Sequence, residues 1–599
     1  MATYWPAELA VRALLDEGVD TMFGLMGGHI QPIQDHAYRA GIRVVQVRHE
    51  QAAAYAADGY ARVTGRPGVC FGTAGPGMLN MVAGIHMAHV SRTPMVCLFG
   101  GHKERESHRG SMQEAYAAEV CRSLTKWTVR VTEPELIPHF IRKAFRAAMT
   151  PPYGPVGIEL PIDRYNFDRM RQEDVVAYRP GEWRSSGAAA RAFTDPREAR
   201  CVAEALAGAQ RPLILAGEGI HWSGAQAALQ ALVEHTGTPA NVRRLGRGAL
   251  AETHPLAVSG GARKTLLEEA DLVLVVGLQL GYLEGFGEWT TPARFVQIQT
   301  CADDVLPTLP TAHEIVGDPL AVLTQILEAA RELPLDAGRA AWGARARALQ
   351  ARLDGQQAAE AEQVRSDAPI HPKWLSKVVA DTVTPATTVV FDSFTASTFL
   401  GEKFRAQRSG QVLDAGLSAA FGHGVGMAIG AQMGRPGTPV LAMMGDGGMG
   451  LGGGDVETAV RYGQPVVFLV YNDDTFCAGV EDYCYGENFR ALGPNARTGF
   501  LLTPGVRYDL MYATLGCHAE HVADPADIAP ALERAFASGR TAVINLVGTR
   551  RVRHPLYDSV SAREMFWHLP ADEVEAPARK RHHETLYPRF HGGRTLADD

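Results

Sequence analysis

Residues 440–450 read Val-Leu-Ala-Met-Met-Gly-Asp-Gly-Gly-Met-Gly, and residues 466–474 read Val-Val-Phe-Leu-Val-Tyr-Asn-Asp-Asp. Each is a short, unbroken apolar run that stops at glycine or acid. Such a run reads as a strand covered on both faces, the kind a parallel sheet contains. Gly445, Gly447 and Gly448 let the backbone approach a ligand closely. Two parallel strands ending in Asp446 and Asp473 place both carboxylates on one edge, and open α/β sheets bind ligands at that carboxyl edge. Oxygen donors there suit a hard divalent cation such as Mg²⁺, which shares its ligands with phosphate. The candidate metal ligands are Asp446, Asp473 and a backbone carbonyl near Thr475. Gly-Asp-Gly on its own is also an ordinary turn, so the rest of the chain has to carry the reading.

Outward from this point the same alternation recurs. Strand-like runs at 20–25, 42–47, 68–73 and 94–99 alternate with helical stretches at 8–17, 50–63 and 79–91. Further runs lie at 213–216, 272–276 and 295–298, followed by one alanine-rich helical segment over 320–364. Runs at 388–391 and 542–547 flank the opening stretches. The expected fold class is therefore α/β, with three doubly wound parallel-sheet domains and a C-terminal tail or lid. The expected boundaries are 1–185, 190–365, 370–558 and 559–599.

At roughly 150 residues per domain, 599 residues fit about three to four domains. The chain is 46% hydrophobic and 21% charged, which excludes a mainly disordered or fibrous protein. A net charge of −8 excludes a global basic field that draws the chain to nucleic acid. The longest apolar stretch, 272–283, is too short to span a bilayer, so no membrane partner is expected. The N-terminus lacks a basic region followed by an apolar core and does not read as a signal peptide. Eight cysteines without a C-x-x-C point to a reducing compartment, the cytoplasm.

Gly445-Asp446-Gly447 with Asp473 one strand further on resembles the diphosphate-binding motif of thiamine-diphosphate enzymes. The family's metal-binding Asn falls at Asp473 rather than Asn472, a departure that keeps an oxygen ligand and adds a charge. Arg48-His49-Glu50-Gln51-Ala52 is similar to the family's N-terminal element, and 72–77 (Gly-Thr-Ala-Gly-Pro-Gly) and Thr93-Pro94 match as well. The resemblance covers about residues 1–560, in the order pyrimidine-binding, central and diphosphate-binding domain. It implies thiamine diphosphate and Mg²⁺ as cofactors. Glu50 would touch the aminopyrimidine, and Pro76, Gly445, Asp446, Gly447, Gly448, Asp473, Thr475 and Ala478 would line the cofactor. Phe421, within 413–431, would lie under its two rings. In the family the central domain holds ADP, FAD or the CoA nucleotide, and the sequence leaves these open. Arg243, Arg244, Arg247, Arg263 and Lys264 are candidates to face such a nucleotide. The family also implies a homodimer at minimum, commonly a homotetramer.

The branch is read from three places. His29 matches a substrate-facing histidine of benzaldehyde lyase, and Gln113 falls where acetolactate synthase and benzaldehyde lyase carry an active-site Gln. After Asp473 the chain is acidic where acetolactate synthases are apolar, which makes Glu487, then Glu481, candidates for proton transfer. Residues 560–599 add an aromatic, basic tail suited to an anionic substrate such as an acyl-CoA. A 2-hydroxyacyl-CoA lyase combines these features: it cleaves its substrate to formyl-CoA and an aldehyde or ketone, and its reverse is a carboligation. The competing readings are an acetolactate-synthase or benzaldehyde-lyase type enzyme acting on free 2-keto acids or 2-hydroxy ketones, and a non-catalytic cofactor binder.

Overall fold

The computed structural model describes residues 3–166, 169–175, 178, 181, 190–393, 395–476, 478–479 and 499–555. The apolar runs build three separate sheets in which every neighbouring pair is parallel. The first runs Arg43–Gln46, Thr21–Gly24, Gly68–Gly72, Met95–Gly101, Pro155–Pro161, Thr128–Arg130. The second runs Ala240–Val242, Pro212–Ala216, Leu272–Val276, Arg294–Gln299, Thr311–Val316. The third runs Val412–Asp414, Thr388–Phe391, Val440–Gly445, Val466–Asn472, Ala542–Val547, His518–Val522. Counted from its own first strand, each six-stranded sheet has the order 2-1-3-4-6-5. In all three sheets the winding reverses between strands 1 and 3, and crevices for ligands open at such a reversal.

Both faces of each sheet are covered, as the unbroken apolar runs require. The outer sheets share one core. Its centre is the contact between helices Glu50–Thr64 and Gly424–Gly434. Alanines at 52, 53, 54, 56 and 57 on the first helix and glycines at 426 and 430 on the second let the backbones nearly touch. A Cβ on Gly430 would lie 1.8 Å from the Ala56 carbonyl oxygen. Inside the same contact Arg62, 2% exposed, is fully engaged. It forms a fork with Asp58 at 2.6 and 2.9 Å and donates to the Asp414 carbonyl at 2.7 Å. A buried ion pair holds only when its hydrogen bonds are all made, as they are here. The outer domains are thereby fixed relative to one another.

The helical segment expected over 320–364 is two helices, Pro319–Ala330 and Arg339–Gln363. Pro334 lies between them, and proline cannot continue a helix.

Candidate active site

The third sheet's reversal carries the acidic site. Strand Val440–Gly445 runs directly into helix Asp446–Gly452, so Asp446 is the first helical residue. It is 2% exposed, and its Oδ1 accepts from the Gly447 amide at 2.9 Å. Strand Val466–Asn472 delivers Asp473, 7% exposed, whose Oδ1 accepts from the Thr475 amide at 3.1 Å. Strand alternation sends Asn472 the other way. Its Nδ2 donates to the Val506 carbonyl at 2.7 Å and to Asn545 at 3.2 Å, so it is committed to the core side. Burial pushes Asp446 up to about 7, against hydrogen bonds from the amides of Gly447 and Asp474. Burial, then the charge of Asp446, pushes Asp473 up to about 8. Two buried carboxylates on adjacent strand ends suit a hard divalent cation, with backbone carbonyls and phosphate oxygens completing the shell. The donor set fits Mg²⁺. Among the described residues no three His, Cys, Asp or Glu side chains converge on one point.

Around this pair the glycines have a steric role. A Cβ on Gly447 would lie 2.6 Å from the Phe476 ring, and one on Gly448 would lie 3.0 Å from Asp392 Oδ1. Asp392 follows strand Thr388–Phe391 and is 1% exposed. Its carboxylate accepts from the Gly422 amide at 3.0 Å on each oxygen and from the Gly424 amide at 2.8 Å. It thereby ties the turn carrying Phe421 to the turn carrying Asp446. Phe421 is 44% exposed and meets Phe476 edge to face, ring centroids 5.8 Å apart. Ala478 is buried on the same stretch.

The first sheet's reversal carries a second cluster. Glu50 opens helix Glu50–Thr64, is 5% exposed, and accepts from Asn80 Nδ2 at 2.9 Å. Pro76 is the first residue of helix Pro76–Val90, which begins after the tight turn at Gly75. Gly75 has φ 61°, and a Cβ there would lie 2.8 Å from the Gln113 carbonyl oxygen, so only glycine fits. A Cβ on Gly77 would lie 3.2 Å from Glu50 Oε1. The Gln113 side chain hydrogen-bonds His29, whose pKa falls below its ordinary value through burial. The loop carrying Gln113 closes around Glu114, which accepts from the amides of His108, Gly110 and Ser111 and from the Tyr116 hydroxyl. These bonds, the His108 amide first, hold Glu114 at about 2.

The structure therefore gathers Glu50, Pro76, His29 and Gln113 at one place and Gly445, Asp446, Gly447, Gly448, Asp473, Thr475, Phe421 and Ala478 at another. No hydrogen bond or ion pair among the described residues joins Glu50 to Asp446 or Asp473. Glu481, Glu487 and the tail 559–599 lie outside the described residues. Asn80, Glu114 and Asp392 were not singled out in the sequence. Asn80 could have been found three residues beyond Gly77 on the same helix face, and Asp392 as the acid ending the third sheet's first strand.

The central-domain arginines behave otherwise than expected. Arg243 pairs with Glu284 at 3.2 Å, Arg244 pairs with Glu218 at 3.4 Å and with Glu284, and Arg247 forks onto Glu252 at 2.7 and 2.8 Å. They neutralise the domain's own acids. Arg263 differs: its Nε and Nη1 are buried without a hydrogen-bond partner, and burial lowers its pKa to about 10. Lys264 is exposed.

Comparison with known proteins shows the family of the chain. Thiamine pyrophosphate enzymes match in three blocks: the N-terminal TPP binding domain over residues 5–120, the central domain over 199–326 and the C-terminal TPP binding domain over 395–546. The chain belongs to the thiamine pyrophosphate enzyme family. It is a thiamine-diphosphate-dependent enzyme of carbon–carbon bond chemistry. A probable acetolactate synthase of Mycobacterium bovis is 31% identical, over 92% of this chain and 97% of the relative. A 2-hydroxyacyl-CoA lyase of Oryza sativa subsp. japonica is 29% identical, over 90% and 94%. The 2-hydroxyacyl-CoA lyase 1 of Homo sapiens is 26% identical, over 90% and 94%. Among the described residues no helix is long and apolar enough to cross a membrane.

Proposed function

We propose that this thiamine pyrophosphate enzyme is a 2-hydroxyacyl-CoA lyase. It would cleave a 2-hydroxyacyl-CoA to formyl-CoA and an aldehyde or ketone, and run in reverse as a carboligation. The observation that carries the proposal is the acidic segment after Asp473, with Glu481 and Glu487, followed by the basic tail. The 2-hydroxyacyl-CoA lyases among the relatives support it.

Asp446, Asp473 and the carbonyl near Thr475 would hold Mg²⁺ and through it the diphosphate. Gly445, Gly447, Gly448 and Ala478 would line it, and Phe421 would support the rings from below. Glu50 would hold a proton at the aminopyrimidine N1′, oriented by Asn80. When bound, thiamine diphosphate supplies a carbon nucleophile at its thiazolium C2. Gln113 and His29 would face the substrate, His29 as the neutral imidazole that its lowered pKa favours. Glu487, with Glu481 as second candidate, would take the proton of the substrate's C2 hydroxyl as the C1–C2 bond breaks. It would return that proton to the carbon that becomes formyl, so atoms balance without a further reactant. The division 1–185, 190–365 and 370–558, with 559–599 as a lid, is part of the same proposal.

Glu50 and Asp446 must act on one cofactor, and within the chain they belong to separate clusters. A homodimer in which one chain's Glu50 cluster faces its partner's Asp446 cluster is the smallest unit that serves both, and a homotetramer is the proposed assembly. The free cysteines at 70, 97, 121, 201, 301 and 517 agree with a cytoplasmic location.

The decisive assay offers 2-hydroxyisobutyryl-CoA, the free acid and benzoin with thiamine diphosphate and Mg²⁺. Formyl-CoA and acetone from the thioester alone are expected, and Glu487→Gln should slow that cleavage. Consumption of benzoin or pyruvate without thioester cleavage would move the enzyme to the acetolactate-synthase reading, which the Mycobacterium bovis relative favours.

A further inference from the structure

In the family the central domain holds ADP, FAD or a CoA nucleotide. The place for its phosphates in a doubly wound sheet is the first strand-to-helix turn at the reversal of strand order, where backbone amides point at the ligand. In this chain that turn is Gly217-Glu218-Gly219, between strand Pro212–Ala216 and helix Glu218–Ser223. We infer that this crevice is closed by the chain itself and takes no resident flavin nucleotide or ADP, so that the enzyme works without FAD and without activation by ADP.

The amides come first. A phosphate needs free N–H groups, and here they are spent. The Gly219 amide donates to the Gly277 carbonyl at 2.9 Å, and the Ile220 amide donates to the Gly217 carbonyl at 3.1 Å. The Glu218 amide donates to its own carboxylate. The turn after the neighbouring strand, Leu272–Val276, presses against it: a Cβ on Gly219 would lie 2.7 Å from the Gly277 Cα. The two glycine turns that would open for a diphosphate instead touch one another.

The side chains act in the same direction. Glu218, 5% exposed, fills the mouth of the turn and pairs with Arg244, which also binds Glu284 and the Gln279 carbonyl. Arg244 Nη1 and Nη2 already have two carboxylates, which leaves its Nε without a partner. Burial raises the Glu218 pKa against the pull of Arg244, so exclusion rests on shape and on the spent amides more than on charge. At the other side Arg92 of the first domain binds Asp304 at 2.6 Å, which commits the acid beyond strand Arg294–Gln299 that could have received a ribose. The cavity between Glu218, Trp222, Gln279 and Arg92 is about 10 Å³. That admits about one water, whereas small-molecule sites run to several hundred Å³. The crevice works as a joint: the Arg92–Asp304 pair fastens the central domain to the first.

The inference is independent of which thioester or ketone the active site takes. Its test uses the full-length wild-type enzyme, purified without added nucleotide, washed and then denatured in acid. Chromatography of the extract should show no FAD, FMN or ADP in proportion to protein. Absorbance near 450 nm should be absent from the native enzyme. At saturating thiamine diphosphate and Mg²⁺, added ADP or FAD should leave kcat unchanged. Stoichiometric release of FAD, FMN or ADP overturns the inference. So does a saturable rise in kcat with FAD or ADP.

Discussion

Asp392→Asn should weaken thiamine diphosphate binding without touching the cofactor directly. The Asp392 carboxylate receives the Gly422 amide on both oxygens and the Gly424 amide on one. It sits beside Gly448 and is almost fully buried. An Asn of the same shape has one acceptor, and its NH₂ faces an amide that also donates. The Gly422 N–H then loses one of its two acceptors, and both amides trade a charged acceptor for a neutral one. Bonds to charged groups contribute about 1.5–3 kcal/mol and neutral ones about 1, so the net loss is about 2 kcal/mol. That loss falls on the turn that presents Phe421. If cofactor binding must restore that turn, about 2 kcal/mol becomes roughly a 30-fold rise in Kd. Fluorescence titration of the purified variant with thiamine diphosphate at saturating Mg²⁺ reads this directly. The Phe421→Ala and double variants should be strongly non-additive with it, because the two residues act through one turn. An unchanged Kd for Asp392→Asn, or full additivity with Phe421→Ala, refutes the reasoning.

Glu50→Gln should slow exchange of the cofactor's C2 proton for deuterium by about 10²–10⁴-fold, measured by quenched-flow NMR at saturating cofactor. Asp473→Asn removes one of the two carboxylates proposed to hold Mg²⁺ and should raise the Mg²⁺ requirement about tenfold, followed by activity against free Mg²⁺. Burial holds the His29 pKa below its ordinary value of 6.5, so the ring is neutral from that pH upward and charges only as pH falls below it. The His29→Gln variant should therefore lose an acid limb of the kcat/KM profile and keep its plateau above pH 6.5. Gly430→Ala puts a methyl 1.8 Å from a backbone oxygen in the joint between the outer domains. It should cost about 3 kcal/mol or more, seen as a lowered midpoint in urea denaturation.

How much was legible can be followed strand by strand. The central strands 272–276, 388–391 and 542–547 coincide with their apolar runs, because a strand covered on both faces has only apolar positions to show. Thr128–Arg130, Thr311–Val316 and His518–Val522 were not read as strands. All three lie at sheet edges, where one side meets solvent and the sequence turns polar. Pro155–Pro161 was hidden by its terminal prolines and by Glu159, a buried acid that takes Arg130 and the Ala117 amide. The glycine-acid and glycine-proline turns of the site showed in the sequence because close backbone approach demands residue types that little else explains. The pairing of Arg243, Arg244 and Arg247 could not show, since Glu218, Glu252 and Glu284 reach them only through the fold.

The two outer sheets explain why the candidate site has the parts it has. Both wind in the order 2-1-3-4-6-5, so residues at the carboxyl end of a given strand in one sheet have a counterpart in the other. The end of strand 1 leads to His29 in the first sheet and to Asp392 in the third. After strand 3 come Gly75-Pro76-Gly77 and Gly445-Asp446-Gly447, each opening a helix. After strand 4 come the loop to Gln113 and the turn at Asp473. The same turn thus occurs twice with different chemistry. One copy is uncharged and lies beside Glu50, which suits a heteroaromatic ring. The other carries the acids that suit a cation and diphosphate. The central sheet has a glycine-acid-glycine turn after strand 1 instead, Gly217-Glu218-Gly219, whose Gly219 amide is bonded to the neighbouring turn at Gly277 and whose acid pairs with Arg244. The Gly447 amide is bonded only to the neighbouring Asp446 carboxylate of its own turn, whereas the Gly219 amide is locked to a carbonyl of a second turn, and that separates the acidic outer edge from the central one.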